Sequence, residues 1–115
     1  MEPMELANIA AEYLYTKMGM NIQVYSVAHL TSIADYFVLC SGKNAIQCRT
    51  MAEDLQEELR NKYNIEARRT EGAKESRWVV LDYGSVIVHV FHEQEREFYN
   101  IEKLWADGTN LVKAL

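Results

Sequence analysis

The stretch that decides the fold is WVVLDYGSVIVHVF, residues 78–91. Apolar side chains fill both halves of this stretch, and Gly84-Ser85 separates the halves, which indicates two consecutive strands, Arg77–Tyr83 and Val86–Phe91. A glycine at the first position of a two-residue loop is what a type II′ turn requires, because that position has a positive φ. The sequence therefore predicts a β-hairpin.

Side chains of a strand alternate between the two faces of a sheet, so this hairpin has two faces of different composition. One face of its second strand is all valine and is predicted to lie in the core: Val86, Val88 and Val90. The opposite face mixes aromatic, aliphatic and polar side chains: Trp78, Val80, Asp82, Ile87, His89 and Phe91. Such a mixture is typical of the centre of a protein–protein interface. The alternative is that Trp78 packs beneath the C-terminal helices as a core residue.

The chain before the hairpin alternates between helical and extended patterns. The predicted elements are helix Pro3–Met18, strand Asn21–Val27, strand Asp35–Cys40, helix Ala45–Lys62 and a weaker strand Ile65–Thr70. Residues 36–40 are almost continuously apolar, which favours a central strand covered on both faces. Gly19 is suited to the left-handed conformation that ends a helix. Ser41-Gly42 is expected to turn the chain into the second helix, which Asn44 and Gln47 cap.

After the hairpin, Glu93–Trp105 is predicted to be helical in two short pieces, and the last residues are expected to fray. The element order αββαβββα corresponds to an α/β (α+β) layer fold, in which helices flank a mixed sheet of about five strands. A chain of 115 residues fits one domain. We expect a single domain over residues 1–115, with its core at about residues 4–107.

The formal net charge of −5 argues against direct binding of nucleic acid, which depends on clustered Lys and Arg. The same charge is compatible with docking on a basic protein surface. Cys40 and Cys48 have no C-x-x-C spacing and are predicted to be small core residues. The N-terminus is acidic, unlike a signal peptide, and polar residues interrupt the apolar stretch 78–91. No membrane span is predicted, and the expected compartment is the cytoplasm.

Catalysis is the functional hypothesis that the residues support least. Nucleotidyl transfer needs carboxylates that converge on Mg²⁺ beside a turn that holds phosphates. Ser41-Gly42 is such a small turn, and Asp35 and Asp82 are the carboxylates nearest to predicted strands, but no Asp-x-Asp or Asp-x-Glu pair follows the turn. His89 and His92 stand three apart on a strand and therefore point to opposite faces. We predict no enzyme activity, no metal and no cofactor, and nucleotide binding at Ser41-Gly42 remains the alternative.

Three segments together resemble the Iojap/RsfS family of ribosomal silencing factors: residues 34–42 (ADYFVLCSG), 78–91 and 96–105 (REFYNIEKLW). The resemblance covers about residues 4–107. It implies a nucleotidyltransferase-like topology and a homodimer when the protein is free. It also implies binding to the large ribosomal subunit through that subunit's ribosomal protein fourteen, which sterically blocks subunit joining and represses translation. Relatives in organelles assist large-subunit assembly, which is the alternative role.

The residues and the resemblance together predict a surface for this partner. The candidate partner-binding residues are Trp78, Val80, Asp82, Tyr83, His89, Phe91 and Glu95. Tyr83 comes from the other face of the first hairpin strand, and Glu95 belongs to an acidic tail that could complement a basic ribosomal protein. The alternative for the tail is an ordinary solvated face, where each exposed ion pair contributes little.

Overall fold

A computed structural model of the chain describes residues 1–100 and 110–115, except for the side chains of residues 98 and 99. The described residues form three helices and six strands. In chain order these are α1 (Pro3–Thr16), β1 (Met20–Ser26), β2 (Tyr36–Gly42), α2 (Ala45–Tyr63), β3 (Arg69–Glu71), β4 (Trp78–Asp82), β5 (Val86–His92), α3 (Glu93–Tyr99) and β6 (Leu111–Ala114). The alternation of helices and strands confirms the predicted mixed fold.

The strands form one mixed sheet in the order β3-β4-β5-β2-β1-β6. β2 and β5 pair in parallel, and the other neighbours are antiparallel. β2 lies inside the sheet and every residue after Tyr36 in it is buried, which confirms the predicted central strand. A strand covered on both faces needs apolar side chains at odd and even positions, and the run 36–40 supplies them.

The sheet buries one apolar cluster on each face. On the first face, α1 and α2 pack on the valines of β5 and on Val79 and Leu81 of β4. The all-valine face of the hairpin therefore lies in the core, as predicted. The second face carries a smaller cluster that includes Phe37, Ile87 and Phe91, with Trp78 and Val80 packed against it.

The hairpin turn has the predicted geometry. Gly84 has a φ of +86°, and Ser85 is not among the residues with positive φ. The Tyr83 amide donates to the Val86 carbonyl at 2.9 Å, which closes the two-residue loop. A positive φ at the first loop position and not at the second agrees with the expected type II′ turn.

The prediction for Gly19 is wrong. α1 ends at Thr16, and the left-handed residue after it is Met18, with a φ of +70°. Position 19 requires a glycine for a steric reason, because a Cβ there would lie 2.5 Å from the Cys40 sulfur.

Three further features differ from the prediction. Ser41 and Gly42 continue β2 and do not form a turn; they pair with β5 up to Gly42 opposite His92. Gln47 completes only half of the expected capping box: its amide donates to Asn44 Oδ1 at 2.8 Å, but its side chain accepts from Lys43 and not from Asn44. The weak strand predicted at 65–70 is instead the three exposed residues of β3, which begins at Arg69 and extends to Glu71.

The chain end is also a correction, because 111–114 form a sixth strand where fraying was expected. The Leu115 amide donates to the Ile22 carbonyl at 2.8 Å and the Ile22 amide donates back at 3.1 Å. Lys113 pairs with Glu12 of α1 at 3.0 Å. These contacts join residues about ninety or more positions apart, and a four-residue strand has too little pattern to reveal them. The predicted second helical piece, up to Trp105, lies outside the described residues.

Candidate functional site

Trp78 is the half-buried centre of the second face. It lies opposite Phe91 in the β4–β5 register, and the two ring centroids are 4.9 Å apart. Its indole Nε1 donates a hydrogen bond to Nδ1 of His89 at 3.1 Å. The indole is therefore held by its ring contacts with Phe91 and His89 and by one directional bond, so its orientation is fixed.

His89 supports Trp78 from below. Its side chain is only 6% exposed and meets the ring of Phe37 edge-on at 4.9 Å. Burial lowers the pKa of His89 to about 4, so the imidazole is neutral at neutral pH. Because Nδ1 accepts from Trp78, the ring proton lies on Nε2, and among the described residues no hydrogen-bond partner reaches that atom. A buried donor without a partner costs free energy in the folded state.

The structure separates the other predicted hairpin residues by depth and side. Val80 is half-buried beside Trp78, whereas Phe91 is fully buried. Asp82 accepts from the Gly84 amide at 2.8 Å and pairs with Arg69 at 3.5 Å, so it braces the turn. Tyr83 packs against the core of the first face, where burial raises the pKa of its hydroxyl to about 12. Trp78 and Val80 are thus brought together near the surface, and Tyr83 is not among them.

Glu95 of α3 lies next to Trp78 through its ion pair with Arg77, the residue that precedes β4. Its Oε1 accepts from Arg77 Nε at 2.7 Å and lies 2.6 Å from Nη2 of the same guanidinium. Together with Gly72, Lys74 and Glu75, these residues line an open recess of about 360 Å³ at Trp78. The predicted acidic residue is therefore placed at the aromatic centre.

Arg96 is a residue that the sequence analysis missed. It is 6% exposed and donates to the Asn21 carbonyl at 2.5 Å, to Ser41 Oγ at 2.9 Å and to Gln23 Oε1 at 2.9 Å. These bonds fix α3 on the ends of β1 and β2. An arginine among acidic helix residues looks like part of a solvated face, so no local signal distinguishes it.

Gly72 is a second residue that was missed. It has a φ of +78°, and a Cβ there would lie 2.0 Å from the Trp78 carbonyl oxygen. The loop that it belongs to therefore runs directly against the backbone of Trp78. The sequence shows a glycine in a charged loop, but it does not show that this loop lies against the backbone of Trp78.

The residues considered for nucleotidyl transfer do not converge. Ser41 is buried and its hydroxyl is bound by Arg96, while a Cβ on Gly42 would lie 2.7 Å from the Cys48 sulfur. Asp35 lies at the other end of β2, beside Ser85 of the hairpin turn. Because a strand rises about 3.3 Å per residue, Asp35 and the Ser41-Gly42 pair are roughly 20 Å apart. The structure brings no predicted carboxylate to that pair.

The remaining polar candidates have local roles. His92 Nδ1 accepts from the Gln94 amide at 3.3 Å and so caps α3, whereas His89 is buried under Trp78. Cys40 and Cys48 are fully buried, which confirms them as core residues, and burial raises the pKa of their thiols to about 12 and about 11. In residues 1–100 and 110–115, no helix is long and apolar enough to cross a bilayer.

Comparison with known proteins gives one consistent family. The model of the family described as "Ribosomal silencing factor during starvation" matches residues 1–114. Proteins named ribosomal silencing factor RsfS from Halalkalibacterium halodurans and Bacillus subtilis are each 36% identical, over 94% of this chain and 92% and 91% of their own. The maize protein named Iojap, chloroplastic, is 27% identical over 90% of this chain and 43% of its own.

Solved structures show the same fold. A crystal structure from Bacillus halodurans superposes with a TM-score of 0.81 at 33% identity, covering 96% of this chain and 98% of that one. A crystal structure from Chromobacterium violaceum superposes with a TM-score of 0.88 at 29% identity, covering 99% and 96%. The coverage of both chains is nearly complete, so the similarity extends to the whole described fold.

Proposed function

The chain belongs to the RsfS family of ribosomal silencing factors, and from that premise we propose that it represses translation by binding the large ribosomal subunit. The contact is with that subunit's ribosomal protein fourteen, and the bound chain sterically prevents the small subunit from joining. The protein acts in the cytoplasm, by occupying a surface and without catalysis.

The observation that carries this proposal is the half-buried Trp78 on a rigid base. Aromatic residues anchored in well-packed surroundings dominate the binding energy of protein interfaces. Trp78 fits that description because His89 and Phe91 hold its ring while it remains partly accessible. Val80 extends the apolar contact, and Glu95, in its ion pair with Arg77, lies at its edge.

The other proposed residues act indirectly. Asp82 keeps the hairpin turn closed, and Tyr83 anchors the end of the first hairpin strand in the core. The net charge of −5 supports approach to a basic protein surface rather than to phosphates. Electrostatic attraction of this kind raises the association rate more than the affinity.

Cosedimentation with isolated large subunits, followed by addition of small subunits, tests the proposal. We expect the wild-type chain to bind and to reduce the fraction of joined ribosomes. Trp78→Ala should weaken binding by tenfold or more, since a central aromatic anchor is worth about 2 kcal/mol or more. Tyr15→Ala is the matched control, because it removes an aromatic side chain that is 59% exposed on α1, against the other face.

Two results would refute the proposal: no binding of large subunits, or binding with no loss of joined ribosomes. Trp78→Phe separates anchoring from folding, because it keeps an aromatic ring in the cluster. If Trp78→Ala loses its native circular dichroism, binding is measured with Trp78→Phe instead. Wild-type binding by Trp78→Phe would restrict the proposed role of Trp78 to the contacts of an aromatic ring.

We also propose that the free chain forms a homodimer through the second face, which would then compete with the ribosome. The half-buried Trp78 and Val80 are the observation that favours it, since apolar surface at the centre of an interface stabilises association. Light scattering after size-exclusion chromatography should give twice the 13.3 kDa chain mass, and Trp78→Ala should lower it. A monomer at high micromolar concentration would contradict this proposal and leave the ribosome proposal standing.

A further inference from the structure

The loop between β3 and β4 ends in a buried serine with an unusual backbone conformation. Residues 72–75 of this loop are exposed, whereas Ser76 is fully buried and has a φ of +61°. Its amide donates to the Gly72 carbonyl at 2.8 Å, and its hydroxyl donates to the Ala73 carbonyl at 2.7 Å. A residue other than glycine keeps a positive φ only where its surroundings hold it there. Since Ser76 lies two residues before Trp78, its conformation directs the chain into β4.

Arg49 of α2 holds this loop from outside. Its Nε donates to Ser76 Oγ at 3.0 Å, and its Nη2 donates to the Lys74 carbonyl at 3.3 Å. Glu53 lies one turn further along α2, at the spacing that favours an ion pair, yet the guanidinium of Arg49 binds neutral oxygens of the loop. The two bonds therefore join α2, which packs on the first face of the sheet, to residues 25 and 27 positions further along the chain.

The loop in turn lies against the backbone of Trp78. A Cβ on Gly72 would collide with the Trp78 carbonyl oxygen, so the two backbones pass each other without any free space. On the side of β5, the His92 amide donates to the Arg77 carbonyl at 2.8 Å. The start of β4 is thus held between β5 and the loop, and a displacement of the loop displaces Trp78.

We infer that Arg49 is a positioning residue for the binding surface: it holds the loop 72–76 in the conformation that places Trp78 for the partner, and does not itself touch the partner. The inference rests on the proposed function, because it names what keeps the proposed anchor in place. An exposed loop with few buried contacts opens at little cost in free energy unless specific bonds hold it. If only a fraction of the molecules presents Trp78 correctly, the apparent affinity falls by that fraction.

Binding to large subunits by variants of the two bonded side chains tests the inference. Arg49→Gln should weaken binding by about three- to tenfold, which corresponds to one ordinary hydrogen bond. Ser76→Ala removes the acceptor of the same bond from a residue that is 0% exposed, and should weaken binding at least as much. The double variant should lose no more than about twofold beyond Ser76→Ala, because substitutions that break one shared bond are not additive. Arg60→Gln is the matched control, since it removes the same charge from an exposed position of α2 and should bind like wild type.

Four results would overturn the inference. A loss in Arg49→Gln without a loss in Ser76→Ala, or full additivity of the two losses, would mean that Arg49 contacts the partner itself. Complete recovery by Arg49→Lys would mean that only the charge matters, because an ammonium group lacks the planar fork that reaches both loop oxygens; only partial recovery is expected. An equal loss in Arg60→Gln would likewise assign the effect to the charge of α2. Wild-type binding by Arg49→Gln and Ser76→Ala would show that the loop needs no such support.

Amide hydrogen exchange of the free ¹⁵N-labelled chain separates positioning from a general loss of stability. Arg49→Gln should accelerate exchange of the Ser76 amide by about tenfold or more and shift the indole signal of Trp78, because the loop opens locally. The amide of Val90, which is fully buried in β5, should change by less than about threefold. Equal acceleration at Ser76 and Val90, or an unshifted indole signal, would overturn the inference. This measurement needs no ribosome, so it decides whether Arg49 positions Trp78 even if large subunits fail to bind and the proposed function is refuted.

Discussion

Acidification should destabilise the fold through His89. Its pKa is about 4 in the folded chain, against an ordinary value of 6.5, because burial disfavours the charged imidazolium. Between these values the unfolded chain binds more protons than the folded chain, so the free energy of unfolding falls as the pH falls. The stability from a neutral His89 is fully present above pH 6.5 and is lost progressively towards pH 4.

The magnitude follows from the size of the shift. A difference of about 2.5 pK units corresponds to about 3 kcal/mol, of which about 2 kcal/mol is lost by pH 5. Protonation also removes the lone pair on Nδ1 that accepts the hydrogen bond of Trp78. For a domain with an unfolding free energy of roughly 5–15 kcal/mol, this loss is large enough to measure.

Urea unfolding of the wild-type chain and of His89→Asn at several pH values between 7.5 and 4.5 is the assay. Asn Oδ1 occupies nearly the position of Nδ1, so it accepts from Trp78 but does not titrate. The carboxylates are common to both proteins, so the difference between the two curves isolates His89. His29→Asn is the control, because His29 is exposed and the variant should follow the wild-type curve. A wild-type minus His89→Asn difference that stays constant from pH 7.5 to 4.5 would refute the reasoning.

Three further outcomes are expected. Gly72→Ala should destabilise the chain by about 2 kcal/mol or more in urea unfolding, because its Cβ would lie 2.0 Å from the Trp78 carbonyl oxygen at a φ of +78°; an unchanged midpoint would contradict the close approach. Arg96→Gln should cost about 1–3 kcal/mol, since it removes the charged donor from the buried Ser41 hydroxyl and from two part-buried acceptors, the Asn21 carbonyl and Gln23 Oε1; Arg96→Lys should recover only part of that loss. Cys40 and Cys48 should resist iodoacetamide at pH 8 in the folded chain and react after unfolding, because their raised pKa values and burial suppress the thiolate; rapid labelling of the native protein would show that the core opens.

The hairpin and the central strand could be predicted because their signals are local. Alternation along residues 78–91 determines which side chains share a face, and Gly84 determines the turn, without knowledge of any distant residue. The continuous apolar run of β2 likewise implies cover on both faces. Pairing β2 with β5 in parallel was not predictable from either segment alone.

The features that escaped prediction depend on contacts between distant residues. β6 exists because Leu115 and Ile22 exchange two hydrogen bonds, and its four residues carry no clear alternation. Gly19 is required by a sulfur that lies 21 residues further along the chain, not by its own φ. Arg96 is buried where Ser41 and Gln23 accept its hydrogen bonds. Nothing in the sequence around Ser41 or Gln23 indicates that either residue accepts a bond from Arg96.

The two interpretations of Trp78, as core residue and as interface anchor, describe different atoms of one side chain. Its Nε1 and its contact with Phe91 belong to the packed interior, while the half-buried remainder lines the recess with Glu95. An anchor needs both properties, because an indole without internal support would lose rotational freedom on binding and so contribute less. Trp78→Phe in the Glu95→Gln background measures whether the two sides couple. If the indole acts on the partner through the recess, the losses in binding from the two substitutions should be less than additive. Full additivity would mean that Trp78 and Glu95 contribute to binding independently.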